Sequence, residues 1–248
     1  MALSASTIKD IRSLQQKKFR KELGLFVVEG EKMVGELIAS EFSIRNIYFS
    51  QEVNIDFDNL NSEKISEKEL GRLSSLKNPN KILAVAEIPS TTPINWNSNL
   101  ILALDSIRDP GNLGTIIRTA KWFGVETIIC SEDCADIYNP KVVQSTMGAL
   151  FHVNIQYGNL IDMMKKATEN GFRTLSATMK GESLYALPSA KKTMLIIGSE
   201  SHGVSAEVIE KSAACVTIPN GEKEQKVESL NASVANALIL SELTRNEN

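Results

Sequence analysis

Leu100-Ile101-Leu102-Ala103-Leu104-Asp105, followed by Ser106-Ile107-Arg108-Asp109-Pro110-Gly111-Asn112-Leu113-Gly114-Thr115-Ile116-Ile117-Arg118-Thr119-Ala120, decides the fold class of this chain. The first run is continuously apolar up to its closing aspartate, as in a strand covered on both faces. A Pro-Gly turn follows, and apolar residues then recur at helical spacing over 113–123. The same rhythm continues downstream. Strand patterns at 127–130, 153–157, 173–177, 194–198 and 215–218 alternate with helix patterns at 141–150, 160–169 and 206–212, and a last helix spans about 230–243. Apolar strands alternating with helices predict an α/β domain built on a parallel sheet. In such sheets ligands sit beyond the carboxyl ends of the strands, so the segments after strands are where chemistry is expected.

Upstream the pattern is different. Residues 1–90 read as a small α+β domain, with Ser4 or Ser6 capping a helix that carries Ile8, Ile11 and Leu14. Strands are expected at 25–28, 44–49 and 82–88, and a helix at 31–39. Pro89 and Pro93 among small polar residues mark a linker at 91–98, which leaves 99–248 as the second domain.

Composition narrows the function classes. The 248 residues are 42% hydrophobic and 23% charged, an ordinary globular mix. No apolar run approaches the ~18 residues that span a bilayer. The first residues lack the apolar stretch of a secretory signal, and three cysteines cannot form a disulfide framework. A cytoplasmic protein is expected. A zinc site is not expected, because Cys130 and Cys134 lack Cys-x-x-Cys spacing and the two histidines are remote. The net charge is −3, yet Lys9, Arg12, Lys17, Lys18, Arg20 and Lys21 face Asp10 alone within residues 1–21. Such a patch can track phosphates on an otherwise acidic protein, or be a solvated helix face.

Three segments after strands carry polar groups suited to chemistry. In the first, Gly111 and Gly114 allow close backbone approach at a helix start, and Arg118 lies about two turns along. Its glycine spacing is not that of a dinucleotide fingerprint. The second is Ile196-Ile197-Gly198-Ser199-Glu200-Ser201-His202-Gly203-Val204-Ser205, where Glu200 sits in a turn able to accept backbone N–H groups or an arginine. The third is Val216-Thr217-Ile218-Pro219-Asn220-Gly221, leading to Ser229-Leu230-Asn231-Ala232-Ser233-Val234-Ala235. Ser229 and Asn231 are good helix caps, and the small residues after them allow close packing. Taken singly, each is an ordinary strand–turn–helix with capped ends.

Together, in this order and spacing, they resemble the three motifs of the SpoU/TrmH-type RNA 2′-O-ribose methyltransferases of the SPOUT superfamily. The resemblance covers residues 100 to about 245. Residues 20–30 and 82–85 also resemble the small RNA-binding domain that often precedes it. This resemblance implies a SPOUT-type parallel sheet with a C-terminal trefoil knot, S-adenosylmethionine as cofactor, a homodimer, and rRNA or tRNA as substrate. By position it assigns Gly198, Ile218, Leu230 and Thr178 to the cofactor. Asn112, Arg118, Glu200, Ser229 and Asn231 match the polar catalytic positions. Lys17, Lys18, Arg20, Lys21 and Arg118 are expected on RNA, with a structural role as the alternative for Arg20.

The chemistry implied is attack of a ribose 2′-hydroxyl on the sulfonium methyl of the cofactor. That demands alignment, and either proton removal or stabilisation of the developing alkoxide. The family's arginine is often described as the base. Arginine side chains hold their proton to about pH 12, so charge stabilisation is an equal reading of Arg118. The chain departs from the family pattern in a longer charged loop between Gly221 and Glu228, in Ser201 and Lys81 where glycine is common, and in Ala232 where valine is common. These affect pocket shape and substrate choice more than reaction type. An RNA-binding protein without catalysis, which need not keep the polar set, is the alternative. A nucleotide-dependent α/β enzyme is disfavoured by the missing phosphate-binding glycine motifs.

Overall fold

The computed structural model describes residues 3–187, 191–221 and 229–245. The chain forms two compact units, Met1–Ser90 with Asp136–His152, and Thr91–Ala135 with Val153–Asn248.

In the first unit, Ser4 caps α1 (Ala5–Ser13) by accepting from the Thr7 N–H at 3.0 Å. Its apolar stripe of Ile8 and Ile11 packs with Leu14 into the core. The chain then runs through α2 (Lys17–Leu23), β1 (Leu25–Glu29), α3 (Glu31–Ile38), β2 (Ile44–Phe49), β3 (Ser62–Lys64), α4 (Glu67–Leu73) and β4 (Ile82–Glu87). The four strands form one sheet in the order β1-β4-β2-β3, antiparallel except for the β2–β3 pair. α4 opens on a reciprocal capping box between Ser66 and Glu69. Those contacts, the Ser66 hydroxyl first, hold the Glu69 carboxyl down at about 2.

The second unit begins with β5 (Leu100–Asp105), α5 (Pro110–Trp122) and β6 (Thr127–Cys130). The next helix, α6 (Pro140–Thr146), and a 3₁₀ turn at Ala149–His152 belong to the first unit. There Tyr138 and Phe151 pack on Phe26, and Phe151 on Phe42. The second unit resumes with β7 (Asn154–Tyr157), α7 (Leu160–Glu169), β8 (Arg173–Ser183), β9 (Thr193–Gly198), α8 (Ala206–Lys211), β10 (Ala214–Thr217) and α9 (Ala232–Leu243). Its six strands lie in the order β10-β8-β9-β5-β6-β7, and every pair is parallel. The α/β fold on a parallel sheet is therefore as read from the apolar runs. β5 and β9 are neighbours, with Asp105 opposite Gly198, so the first two motifs leave the sheet side by side.

Four boundaries differ from the sequence pattern by two residues or more, each for a local reason. α5 starts at Pro110 and not at 113, because Asp109 caps it and proline suits the first helical position. α6 stops at Thr146, short of 150, where Met147 adopts a left-handed φ of 52°. α9 starts at Ala232 because Asn231 is its cap. β8 runs on past 177 through polar residues to Ser183, since β10 pairs with them after a register shift between Cys215 and Val216. Gly181 is the tight point of that pairing. A Cβ there would collide with the backbone of Cys215 and Val216. Among the described residues no helix is long and apolar enough to cross a membrane.

Candidate active site

The polar residues of the three motifs meet at the carboxyl edge of the six-stranded sheet. Asp109 accepts the Asn112 N–H at 2.8 Å and fixes the first turn of α5. The Asn112 side chain points to both other motifs. Its Nδ2 donates to Glu200 Oε1, and its Oδ1 accepts from Asn231 Nδ2 at 3.0 Å. Asn231 is held in turn, because its Oδ1 accepts the Ser233 N–H at 2.9 Å and the Ser233 hydroxyl at 2.6 Å. Each amide thus donates with its nitrogen and accepts with its oxygen, which fixes both orientations. The result is an ordered chain Glu200–Asn112–Asn231 across three segments remote in sequence.

Arg118 is not part of that chain. It is exposed and has no hydrogen-bond or ion-pair partner among the described residues. Six residues of helix place its backbone about 9 Å along α5 from Asn112. Glu200 takes the Asn112 amide on Oε1 and no bond from Arg118. Ser229 is exposed beside Leu230. The charged loop residues 222–228 lie outside the described residues.

The expected cofactor positions lie on the same edge. Gly198 ends β9, and the chain turns back at once, with Ser199 bridged to Gly203. A Cβ on Gly198 would overlap the backbone of Gly203 and Val204, so only glycine permits the turn. Ile218 follows the end of β10 and is half-buried. Leu230, next to Asn231, is 46% exposed. Thr178 is half-buried in β8 and donates its hydroxyl to the Lys180 carbonyl at 2.6 Å. A bare backbone turn after β9, a half-buried isoleucine after β10 and an exposed leucine before the cap of α9 fit a ligand held through main-chain groups and an apolar face. These residues fit S-adenosylmethionine.

A second network stands behind the first motif, and the sequence reading missed it. Asp105 is 6% exposed; its Oδ2 accepts the Ser205 N–H at 2.7 Å and its Oδ1 the Ser106 hydroxyl at 3.2 Å. Ser106 has a left-handed φ of 59° and donates its N–H to the Ser131 hydroxyl at 2.9 Å. Asp133 accepts from Ser131 at 2.7 Å, Ser106 at 2.8 Å and Arg108 at 2.9 Å. These donors, Ser131 foremost, hold its carboxyl well below the usual carboxylate range. Cys134 accepts the Ile107 N–H at 3.3 Å. A hydrogen bond from Cys130 leads the causes that bring the Cys134 thiol down to about 7. The available signal was the aspartate closing a buried strand, where an apolar residue is the default.

In the first unit, Lys17, Lys18 and Lys21 are exposed on α2, and Lys9 and Arg12 on α1. Arg20, grouped with them as a phosphate contact, is a correction. It is 2% exposed, with its guanidinium on Asp136 at 2.5 Å and on the Leu14 carbonyl at 2.6 Å. A side chain so buried and so committed is not presented to RNA. Its partner lies more than a hundred residues away, which local charge patterning cannot show.

Comparison with known proteins places the sequence and the fold in one family. Residues 99–241 match the SpoU rRNA Methylase family, and residues 5–84 the MRM3-like substrate binding domain. The chain is 29% identical over 95% of both lengths to the 23S rRNA (guanosine(2553)-2′-O)-methyltransferase RlmP of Bacillus subtilis. Its structure is similar to a TrmH-family protein from Porphyromonas gingivalis, at 35% identity and a TM-score of 0.89 over 99% of each chain. It is also similar to an AdoMet-bound rRNA methyltransferase from Sinorhizobium meliloti, at 27% identity and a TM-score of 0.86 over 99% of this chain and 96% of that one. A hydrogen-bonded carboxylate–amide–amide chain at the carboxyl edge of a parallel sheet, beside a bare glycine turn, is thus found on a sequence and a fold of one kind, and the chain belongs to the SpoU rRNA methylase family of S-adenosylmethionine-dependent RNA methyltransferases.

Proposed function

We propose that this enzyme methylates a ribose 2′-hydroxyl of rRNA, with Arg118, Asn112, Glu200, Ser229 and Asn231 as its active-site residues. The observation that carries the reading is the Glu200–Asn112–Asn231 chain, which joins all three motifs by side-chain hydrogen bonds. A protein that only bound RNA would have no use for an ordered, partly exposed amide pair pinned by a carboxylate. The B. subtilis relative is named for a 2′-O-methylation of 23S rRNA, and large-subunit rRNA is the substrate we favour.

Gly198, Ile218, Leu230 and Thr178 would hold S-adenosylmethionine, which when bound supplies a methyl group on an electrophilic sulfonium. The remaining work falls to the chain. Glu200 fixes Asn112, and Asn112 fixes Asn231, so the amide edges of the site are set before RNA arrives. Arg118 offers positive charge to the 2′-oxygen as its proton leaves and to the neighbouring phosphate. Ser229, exposed beside Leu230, contacts the ribose.

Three further assignments belong to this reading. The second unit carries the family's C-terminal trefoil knot; the family match over residues 99–241 supports that reading. The enzyme is a homodimer. Val234 and Leu238, 47% and 42% exposed, stand four residues apart on α9, an apolar pair suited to a second copy. The enzyme acts in the cytoplasm, on RNA bound by the exposed lysines of α2.

Mapping 2′-O-methylation across total RNA from cells with and without the protein tests the activity. One rRNA ribose should lose its methyl group, and an unchanged map would refute the reading. The lysines are tested separately. Lys17→Ala, Lys18→Ala and Lys21→Ala should each weaken RNA binding and flatten its salt dependence by about 1 for each phosphate no longer bound. An unchanged slope in the triple variant would move the RNA surface elsewhere.

A further inference from the structure

We propose that Asp105 is a positioning residue for methyl transfer, setting the loop that carries Glu200 against the helix that carries Asn112. The inference rests on the assignment of Glu200 and Asn112 to the active site. Asp105 touches the Glu200 loop at both of its ends. At the near end it lies opposite Gly198 in the β5–β9 pairing. At the far end its carboxylate accepts the Ser205 N–H at 2.7 Å. The segment between closes on itself through the Ser199–Gly203 bridge, and Val204 is buried in the core. Glu200 is therefore displayed on a short loop whose two feet stand on one residue.

Asp105 also governs the other side of the site. It is the last residue of β5, and the chain leaves it through Ser106 in a left-handed conformation. The Ser106 hydroxyl has one hydrogen for two carboxylates, Asp133 at 2.8 Å and Asp105 at 3.2 Å. The Ser106 and Ile107 N–H groups go to Ser131 and Cys134, so the exit path is clamped from the β6 side. That path leads directly to the Asp109 cap and to Asn112. One buried carboxylate thus links the two motifs whose side chains must meet. Its hydrogen bond from a backbone N–H is charge-assisted; an asparagine there keeps an oxygen for the Ser205 N–H but loses that charge.

The test uses the full-length enzyme, total rRNA from cells lacking the protein, and S-adenosylmethionine labelled in the methyl group. Asp105→Asn should lower the single-turnover rate about tenfold or more, as expected when an oriented group is misplaced. S-adenosylhomocysteine affinity should stay within about threefold of wild type, because cofactor is held by other residues. The decisive readout is coupling. If Asp105 acts through Glu200, the double variant Asp105→Asn/Glu200→Gln should be no slower than Glu200→Gln alone. Additive losses, or a folded Asp105→Asn enzyme with wild-type rate, would overturn the proposal. Asp105→Ser is the second variant, small enough to fit without pushing either loop. If neither variant folds, Asp105 is structural and the proposal fails. If Glu200→Gln itself retains full rate, the active-site assignment is what has failed.

Discussion

Arg118→Ala should lower the rate of methyl transfer about 10²–10³-fold, the loss typical when one preorganised donor to a developing oxyanion is removed. The size follows from where the side chain stands. It is exposed on α5, and no group of the described chain takes its charge. A guanidinium not consumed by an internal partner is available to substrate, and its removal leaves no buried acceptor unpaired. Stability should therefore change by no more than about 0.5 kcal/mol. Cofactor affinity should stay near wild type, because the proposed cofactor residues lie on the β8, β9, β10 and α9 segments and not on α5. Arg118→Lys separates two roles. It keeps the charge but lacks the planar fork, so partial activity would indicate simple charge stabilisation, and none would indicate bidentate holding of oxygen and phosphate. The informative measurements are single-turnover transfer to rRNA, S-adenosylhomocysteine binding, and chemical denaturation on the same preparation. A folded Arg118→Ala enzyme with near-normal turnover would remove Arg118 from the mechanism.

The strands of the second unit were legible because parallel strands buried on both faces leave continuous apolar runs. Leu100–Asp105, Thr127–Cys130 and Thr193–Gly198 need no knowledge of their neighbours to be recognised. What pairing alone decides was not legible. β8 extends through Lys180 and Glu182 only because β10 lies beside it, and a polar run with no alternation gives no local warning. The capping box that starts α4 was present in the sequence as Ser66 followed by Glu69, and only its short, poorly periodic helix concealed it. At the site, Asn112, Glu200 and Asn231 were singled out by the family resemblance and not by any one segment. Their mutual hydrogen bonds were not legible, since amide orientation depends on all three at once. The roles of Asp105 and Arg20 were not legible either, because each is set by a partner far along the chain, Ser205 for the one and Asp136 for the other.

Arg20→Ala should destabilise the first unit by about 3–5 kcal/mol, the cost of leaving one member of a buried ion pair alone. Arg20 donates from Nε and Nη2 to Asp136 Oδ2 at 3.0 and 2.5 Å, and from Nη1 to the Leu14 carbonyl at 2.6 Å. Asp136 also accepts the Tyr138 N–H at 3.0 Å, while burial, followed by the Asp136 charge, pushes the Tyr138 hydroxyl up. Removing the guanidinium strands a largely buried carboxylate and a carbonyl together. The pair ties α2 to the segment that returns through Asp136–His152, where Tyr138 and Phe151 pack on Phe26. The same geometry implies that a fragment ending at residue 90 lacks part of its own core. Asp136→Asn should cost less than Arg20→Ala, because the amide oxygen still accepts one donor. Urea unfolding of the single variants and of the double variant measures the coupling, which should be large and non-additive for groups in direct contact. RNA binding then separates Arg20 from its neighbours. In Arg20→Ala, affinity should fall only as far as the folded fraction falls, with the salt slope unchanged. In Lys17→Ala and Lys21→Ala, the slope should fall while the unfolding midpoint holds. An Arg20→Ala protein of wild-type stability and weakened salt dependence would return Arg20 to the RNA surface and show the buried pair to be expendable.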